Sequence, residues 1–220
     1  MCTFVRTYKR STTIGKIKII ELTDKERLQL EEGFRRGKSQ KLQELVQQEK
    51  NGLIALYYGD ESHVCTDGYV PYVWQFCGED VYIPSEKDLR LNIFGMIDRR
   101  NRYEGFTTTE NMTADKVANF LDRMYLRISK RTFVVLDNAS VHRCRLMREL
   151  RPLWEKRGLF LFFLPPYSAH LNIAETLWRI LKGKWLRPVD YLYTDALLYA
   201  TNRALAAIGA GLKINFKHVA

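Results

Sequence analysis

The stretch TFVVLDNASVH, residues 132–142, decides the fold. A short apolar run with strand-favouring residues stops at Asp137, and Asn138 and Ser140 then supply side chains suited to starting a helix. A helix is expected from about 143 to 157. After it, LFLFFL (159–164) reads as a second buried strand, halted by Pro165-Pro166, with a further helix beginning near Asn172. Before it, Val117, Phe120, Leu121 and Met124 recur at helical spacing within 113–128.

Further towards the N-terminus the texture is that of strands. LIALYYG (53–59) reads as a buried strand ending at Asp60-Glu61. VPYVWQFC (70–77), VYIP (81–84) and LRLNIFGMID (89–98) read as further strands, antiparallel neighbours joined by short turns. Strands followed by alternating helices and strands predict an α/β fold with a mixed central sheet flanked by helices. Functional groups in such sheets gather at strand ends and the helix starts that follow.

Residues 1–20 alternate loosely and suit a strand or an extended arm. Thr23 and Glu26 form a capping-box pattern that predicts a helix over about 24–36. After Gly37, Ser39 caps a predicted second helix with Leu42, Leu45 and Val46 on one face, closed by Asn51-Gly52.

A chain of 220 residues with 46% hydrophobic content can bury one good core. No apolar run approaches the ~20 residues that span a bilayer, and MCTFVRTYKR lacks the apolar stretch of a secretory signal, so the expected location is the cytosol, with the nucleoid. Cys2, Cys65, Cys77 and Cys144 form no C-x-x-C pair and suit reduced thiols. A zinc site drawn from His63, Cys65, Cys77, His142 and Cys144 matches no common ligand spacing.

The net charge of +10 is unevenly placed. Residues 1–50 carry 12 Lys/Arg against 7 Asp/Glu, residues 176–220 carry 7 against 2, and the stretch between balances at 16 against 16. Basic ends flanking a neutral middle suit a polyanionic partner, and equally a soluble protein of high pI.

Phosphodiester chemistry with Mg²⁺ needs a few acids converging from separate elements, each metal keeping room for phosphate oxygens. Asp60 follows an apolar run, with Glu61 expected to point to the opposite face by strand alternation. Asp137 follows another. Asp98, after NIFGMI, is a rival second acid, set apart by its hairpin position and by Arg99 and Arg100 beside it. Glu175 fits two roles: the N3 residue of a capping box begun by Asn172, or a metal ligand. Glu175, Arg179 and Lys182 share a helix face at i, i+4 and i+7, as an acid leading a basic, phosphate-facing stripe would, or as an ordinary surface pair would. His142, five residues after Asp137, suits a contact to DNA or to a neighbouring acid, or a structural role at a helix start. Trp74, Trp154, Trp178 and Trp185 read as core or interface aromatics.

Three stretches, YYGDESH (57–63), VVLDNASVHR (134–143) and LFFLPPYSAHLNIAETLWRILK (161–182), together resemble mariner-type transposases and, more closely, the related bacterial insertion-sequence transposases. The resemblance covers roughly residues 53–187. It implies a ribonuclease-H-like catalytic domain in which Asp60, Asp137 and Glu175 hold two Mg²⁺ or Mn²⁺ ions, with Asn138 and His142 accompanying the second acid. It implies hydrolysis at an element end and attack of the freed 3′-hydroxyl on target DNA, typically at a TA dinucleotide, by a homodimer on double-stranded DNA. DNA contacts are expected from Arg179, Lys182, Asn138 and His142.

The chain departs from that pattern at Ala169 and His170, where the family usually has proline and an acidic or polar residue, and at Ile173-Ala174, where a proline or aliphatic residue and isoleucine are common. Paired helix-turn-helix modules usually precede the first aspartate; only 59 residues do so here, and GFRRGKSQKLQELVQQ (33–48) reads as a join across a missing segment. The expected layout is a basic arm with two short helices (1–52), the catalytic domain (53–187) and a basic helical segment (188–220). The alternatives are a structure-selective nuclease on the same fold and a non-catalytic DNA-binding remnant.

Overall fold

The computed structural model describes residues 24–66, 77 and 90–216. The expected arm at 1–20, the Thr23–Glu26 capping box and the strands at 70–77 and 81–84 lie outside these residues, apart from Cys77.

A five-stranded sheet has the order β3-β2-β1-β4-β5. β1 (Ala55–Cys65) pairs antiparallel with β2 (Arg90–Ile97), which pairs antiparallel with β3 (Tyr103–Thr108). On its other side β1 runs parallel to β4 (Thr132–Leu136), and β4 parallel to β5 (Leu159–Phe163). The mixed sheet is the one expected, with β3 added after the Asp98 turn.

Side-chain alternation sorts the sheet into two faces. Tyr57, Phe94, Met96, Val134 and Leu136 point towards α2 (Ala114–Arg127) and α4 (Arg145–Lys156), where they pack with Val117, Leu121, Met147 and Trp154. Leu56, Tyr58, Ile93, Ile97 and Val135 point the other way. They meet Leu42 and Leu45 of α1 (Asp24–Lys50), Leu177 and Trp178 of α5 (Ala174–Ile180), and Leu197 and Leu205 of α6 (Thr194–Ala206). Two apolar layers on one sheet make the α/β sandwich. α1 and α6 share this core with the sheet.

Three expectations are corrected. The two short N-terminal helices are one helix of 27 residues. The helix runs through Gly33 and Gly37, both exposed, since a glycine inside a helix costs only about 1 kcal/mol against alanine, and the buried Leu42 and Leu45 anchor the C-terminal half. Gly52 closes it with φ +76°, as the Asn51-Gly52 pair predicts.

β1 does not end at Asp60 but continues to Cys65. Its parallel neighbour stops pairing at Tyr58↔Val135, while β2 pairs with it as far as Cys65↔Arg90. One-sided pairing keeps the strand extended beyond the acid.

The last predicted helix starts two residues late, at Ala174, and after Ile180 widens into a π turn over Leu181–Trp185. That turn breaks the straight i, i+4, i+7 stripe.

Among the described residues no helix is long and apolar enough to cross a membrane.

Candidate active site

Parity brings the acids together. Asp60 and Asp137 each stand two residues beyond the last paired positions of neighbouring parallel strands, Tyr58 and Val135. A two-residue step returns a side chain to the same face, so both carboxylates follow Tyr58 and Val135 onto the face covered by α5. Glu175, in the first turn of α5, completes the group. The three line one cleft of about 290 Å³ whose other wall is the loop Pro165–Ala169.

Asn172 fixes α5 over this cleft. Its Nδ2 donates to the carbonyl of Gly59, 3.0 Å away, and its Oδ1 accepts from the backbone N–H of Ala174. One buried side chain thus ties the start of α5 to the residue before Asp60. The capping box is not formed: the N–H of Asn172 is used by the carbonyl of Ala169, and Glu175 is exposed in the cleft. Nor does an ion pair join Glu175 to Arg179 or Lys182 among the described residues.

Trp178, one turn after Glu175, donates its indole N–H to Asp60 Oδ2 at 3.0 Å. The ring fits because the residue opposite Asp60 on β2 is Gly95, where a Cβ would lie 2.7 Å from Trp178 and 2.7 Å from Tyr103.

Asp60 is electrostatically strained. Burial first, then the charge of Glu175 and further that of Asp137, raise its carboxyl to about 7, against the lowering pull of the Glu61 backbone N–H and the Trp178 indole. Such a carboxylate is uncompensated as the protein stands, and added positive charge would relieve it. An all-oxygen donor set suits Mg²⁺ or Mn²⁺ rather than a soft metal. As placed, the acids do not form a closed cage: among the described residues no three His, Cys, Asp or Glu side chains already surround one point. The imagined zinc cluster is likewise not assembled; Cys65, Cys77 and Cys144 are free thiols, and Cys2 lies outside the described residues.

Glu61 projects to the opposite face, as alternation requires. There its Oε1 lies 3.8 Å from Nε2 of His142, which lies 3.5 Å from Asp137 Oδ1. His142 is 1% exposed, and burial lowers its pKa more than Asp137 raises it. His142 thus stands buried behind Asp137. Asn138 is also occupied: its amide donates to the carbonyl of Leu164, joining the loops that follow β4 and β5.

Asp98 stands apart. It is fully buried at the β2–β3 hairpin, accepting from the N–H groups of Arg100 and Arg102 and paired with the Arg102 guanidinium at 2.5 Å. The Arg102 guanidinium, four residues on, pairs with its side chain, and the flanking Arg100 contributes its backbone N–H. Arg179 is exposed. Lys182, within the π turn, is half-buried; burial lowers its pKa most, while Cys65, Glu175 and Asp60 act to raise it.

A family model described as DDE superfamily endonuclease matches residues 55–196. The chain belongs to the DDE superfamily endonucleases. The match spans all five strands and the start of α6, so the DDE domain and the folded core largely coincide. No curated protein matches it by sequence.

Solved structures share the fold at low identity. The Mos1 strand transfer complex is 17% identical with a TM-score of 0.59, covering 90% of this chain and 59% of that one. The Mos1 transposase paired-end complex with left transposon end gives 17% and 0.55, covering 90% and 60%. The simian T-cell lymphotropic virus intasome in complex with PP2A regulatory subunit B56 gamma gives 14% and 0.50, covering 76% and 52%. The fold of this DDE domain is ribonuclease-H-like, and the chain spans about three-fifths of the Mos1 chains it resembles.

Trp178 and Asn172 are the residues that sequence reasoning undervalued. The i, i+3 spacing of Glu175 and Trp178 was the available signal, since it puts both on one helix face. Nothing local to Asn172 points to Gly59, 113 positions away.

Proposed function

We propose that this domain cleaves and joins DNA phosphodiesters as the catalytic part of a cut-and-paste transposase, with Asp60, Asp137 and Glu175 as ligands for two divalent metal ions. The reading rests above all on two aspartates at matching positions past the ends of adjacent parallel strands, with Glu175 facing them from α5. When bound, the metal pair supplies activation of the attacking oxygen and charge stabilisation of the leaving one. The chain's own residues do the rest. Asn172 holds α5 in register with β1, Trp178 holds Asp60 in one orientation, and the Pro165–Ala169 loop walls one side of the cleft. Arg179, exposed beyond Glu175, and Lys182, half-buried and within reach of the charges of Glu175 and Asp60, are assigned to DNA phosphates. The partner is double-stranded DNA, as transposon end and as target, engaged by a homodimer.

The test is nicking of supercoiled DNA and strand transfer of a 3′-hydroxyl end with Mg²⁺, with Mn²⁺ and with chelator. Activity is expected with metal and lost in Asp60→Asn, Asp137→Asn and Glu175→Gln, each of which keeps shape and removes a negative ligand. Cleavage surviving all three changes places the site elsewhere. Cleavage without joined products identifies a nuclease rather than a transposase.

A further inference from the structure

Beside the acid cleft lies a second one, of about 460 Å³, between α1, α4 and the end of β5. The two share Asn138, Leu164 and Pro166, so they adjoin. The second cleft contains no carboxylate in its lining and four cations: Lys38, Arg143, Arg148 and Arg151. Its floor is apolar, with Met147 and Leu161 almost wholly buried beneath it.

Two of the cations are partly engaged. Lys38 donates to the Phe163 carbonyl at 2.8 Å, and Arg151 pairs with Glu155 at 2.8 Å. Arg143 and Arg148 are exposed and have no carboxylate partner among the described residues. Burial, then the charges of Arg151 and Arg143, hold Lys38 below its ordinary pKa. The two arginine charges thus act on Lys38 in the same direction as its burial.

Aromatic faces stand along the same path. Phe34 of α1, on the wall of the basic cleft, is 56% exposed. Tyr167, on the lip of the acid cleft, is 93% exposed, and its backbone sits at φ +58°, a conformation that non-glycine residues adopt at a cost. The loop thus holds a large aromatic ring out in water beside the acids.

We propose that the basic cleft holds an unpaired segment of the DNA strand running past the acid cleft, with phosphates on Arg143 and Arg148 and bases stacked on Phe34 and Tyr167. The inference rests on the reading of the acid cleft as a DNA-cleaving site and names the form of DNA beside it. A basic groove interleaved with exposed aromatics is how single strands are held without sequence preference. The volume is that of a small-ligand site, enough for a nucleotide or two and not for a duplex.

The test measures binding of a fluorescent oligonucleotide, single-stranded or annealed to its complement, by anisotropy at several salt concentrations in chelator. Without metal, the outcome does not depend on cleavage. Arg143→Ala with Arg148→Ala is expected to weaken single-strand binding about tenfold or more and to flatten its salt slope by about 1.4, near 0.7 per phosphate contact. Phe34→Ala is expected to weaken it about fivefold or more, with duplex binding little changed in either case. Arg143→Lys with Arg148→Lys should restore most of the single-strand binding, separating lost charge from lost folding. Unchanged single-strand affinity in the alanine variants, or equal losses for single strand and duplex, overturns the proposal. Loss of nicking in the acid variants with this groove's binding intact leaves the two readings separately judged.

Discussion

The indole N–H of Trp178 donates to Asp60 Oδ2 over 3.0 Å, bridging α5 to β1 on the face where the three acids gather. The bond favours the charged form of a carboxylate that burial and its neighbours otherwise push up to about 7. It therefore helps keep Asp60 ionised near neutrality.

Trp178→Phe removes that donor. Hydrogen bonds to charged groups contribute about 1.5–3 kcal/mol, so Asp60 should become harder to ionise. The acid limb of the pH–rate profile for metal-dependent nicking is expected to move up by about one unit, with activity reduced several-fold at pH 7 and largely recovered at higher pH. A uniform loss at every pH would instead mean that the indole only fills space.

Gly95→Ala should act on the same bond from the other strand. Its Cβ would meet the rings of Trp178 and Tyr103 at 2.7 Å, and both rings pack in the apolar layer on that face. Overpacking of this kind costs about 1–3 kcal/mol. The expected result is a lower urea midpoint with unchanged m value, together with reduced nicking. An unaltered midpoint would show that the two rings shift without cost.

Asn172→Ala strands the buried Gly59 carbonyl and frees the start of α5. Stability should fall by about 1–3 kcal/mol, leaving the protein folded at room temperature by circular dichroism. Nicking should fall further, by about a hundredfold, because Glu175 loses its tether and misplacement by an ångström is that costly. Equal, small losses in both measurements would reduce Asn172 to an ordinary cap.

Acidity and metal should be linked through Asp60. Its folded value near 7 lies above the ordinary 3.8, so between those pH values the unfolded chain has released a proton that the folded protein still holds. Unfolding then releases a proton, and stability falls as pH rises from about 4 to 7, by up to about 4 kcal/mol, then levels off. In chelator, Tm should decline across that window, and Asp60→Asn should flatten the decline. Mg²⁺ or Mn²⁺ at pH 8 should raise the Tm of the native sequence and not of the variant. A Tm rise of equal size in Asp60→Asn would move metal binding to another site.

The sequence by itself determined the alternation of strands and helices after residue 113, the end of β4 before Asp137 and of β5 before Pro165-Pro166, and the opposite facing of Asp60 and Glu61. These are local matters: period-two and period-3.6 patterns and the stops that proline and capping residues impose. It also carried three motif blocks specific enough to name the family. Only the tertiary structure decided that β1 runs on past Asp60, because that depends on β2 pairing along it for eight residues, Tyr58 to Cys65. Only the tertiary structure buried His142 behind Asp137, tied Asn138 to the Leu164 carbonyl, left Lys182 half-buried and brought α1 and α4 to the sides of a basic cleft. It alone joined Asn172 to Gly59 and Trp178 to Asp60, contacts 113 and 118 positions apart. A side chain's chemistry is written where it stands in the chain, but its partner is chosen by whichever distant segment the packed core brings within reach.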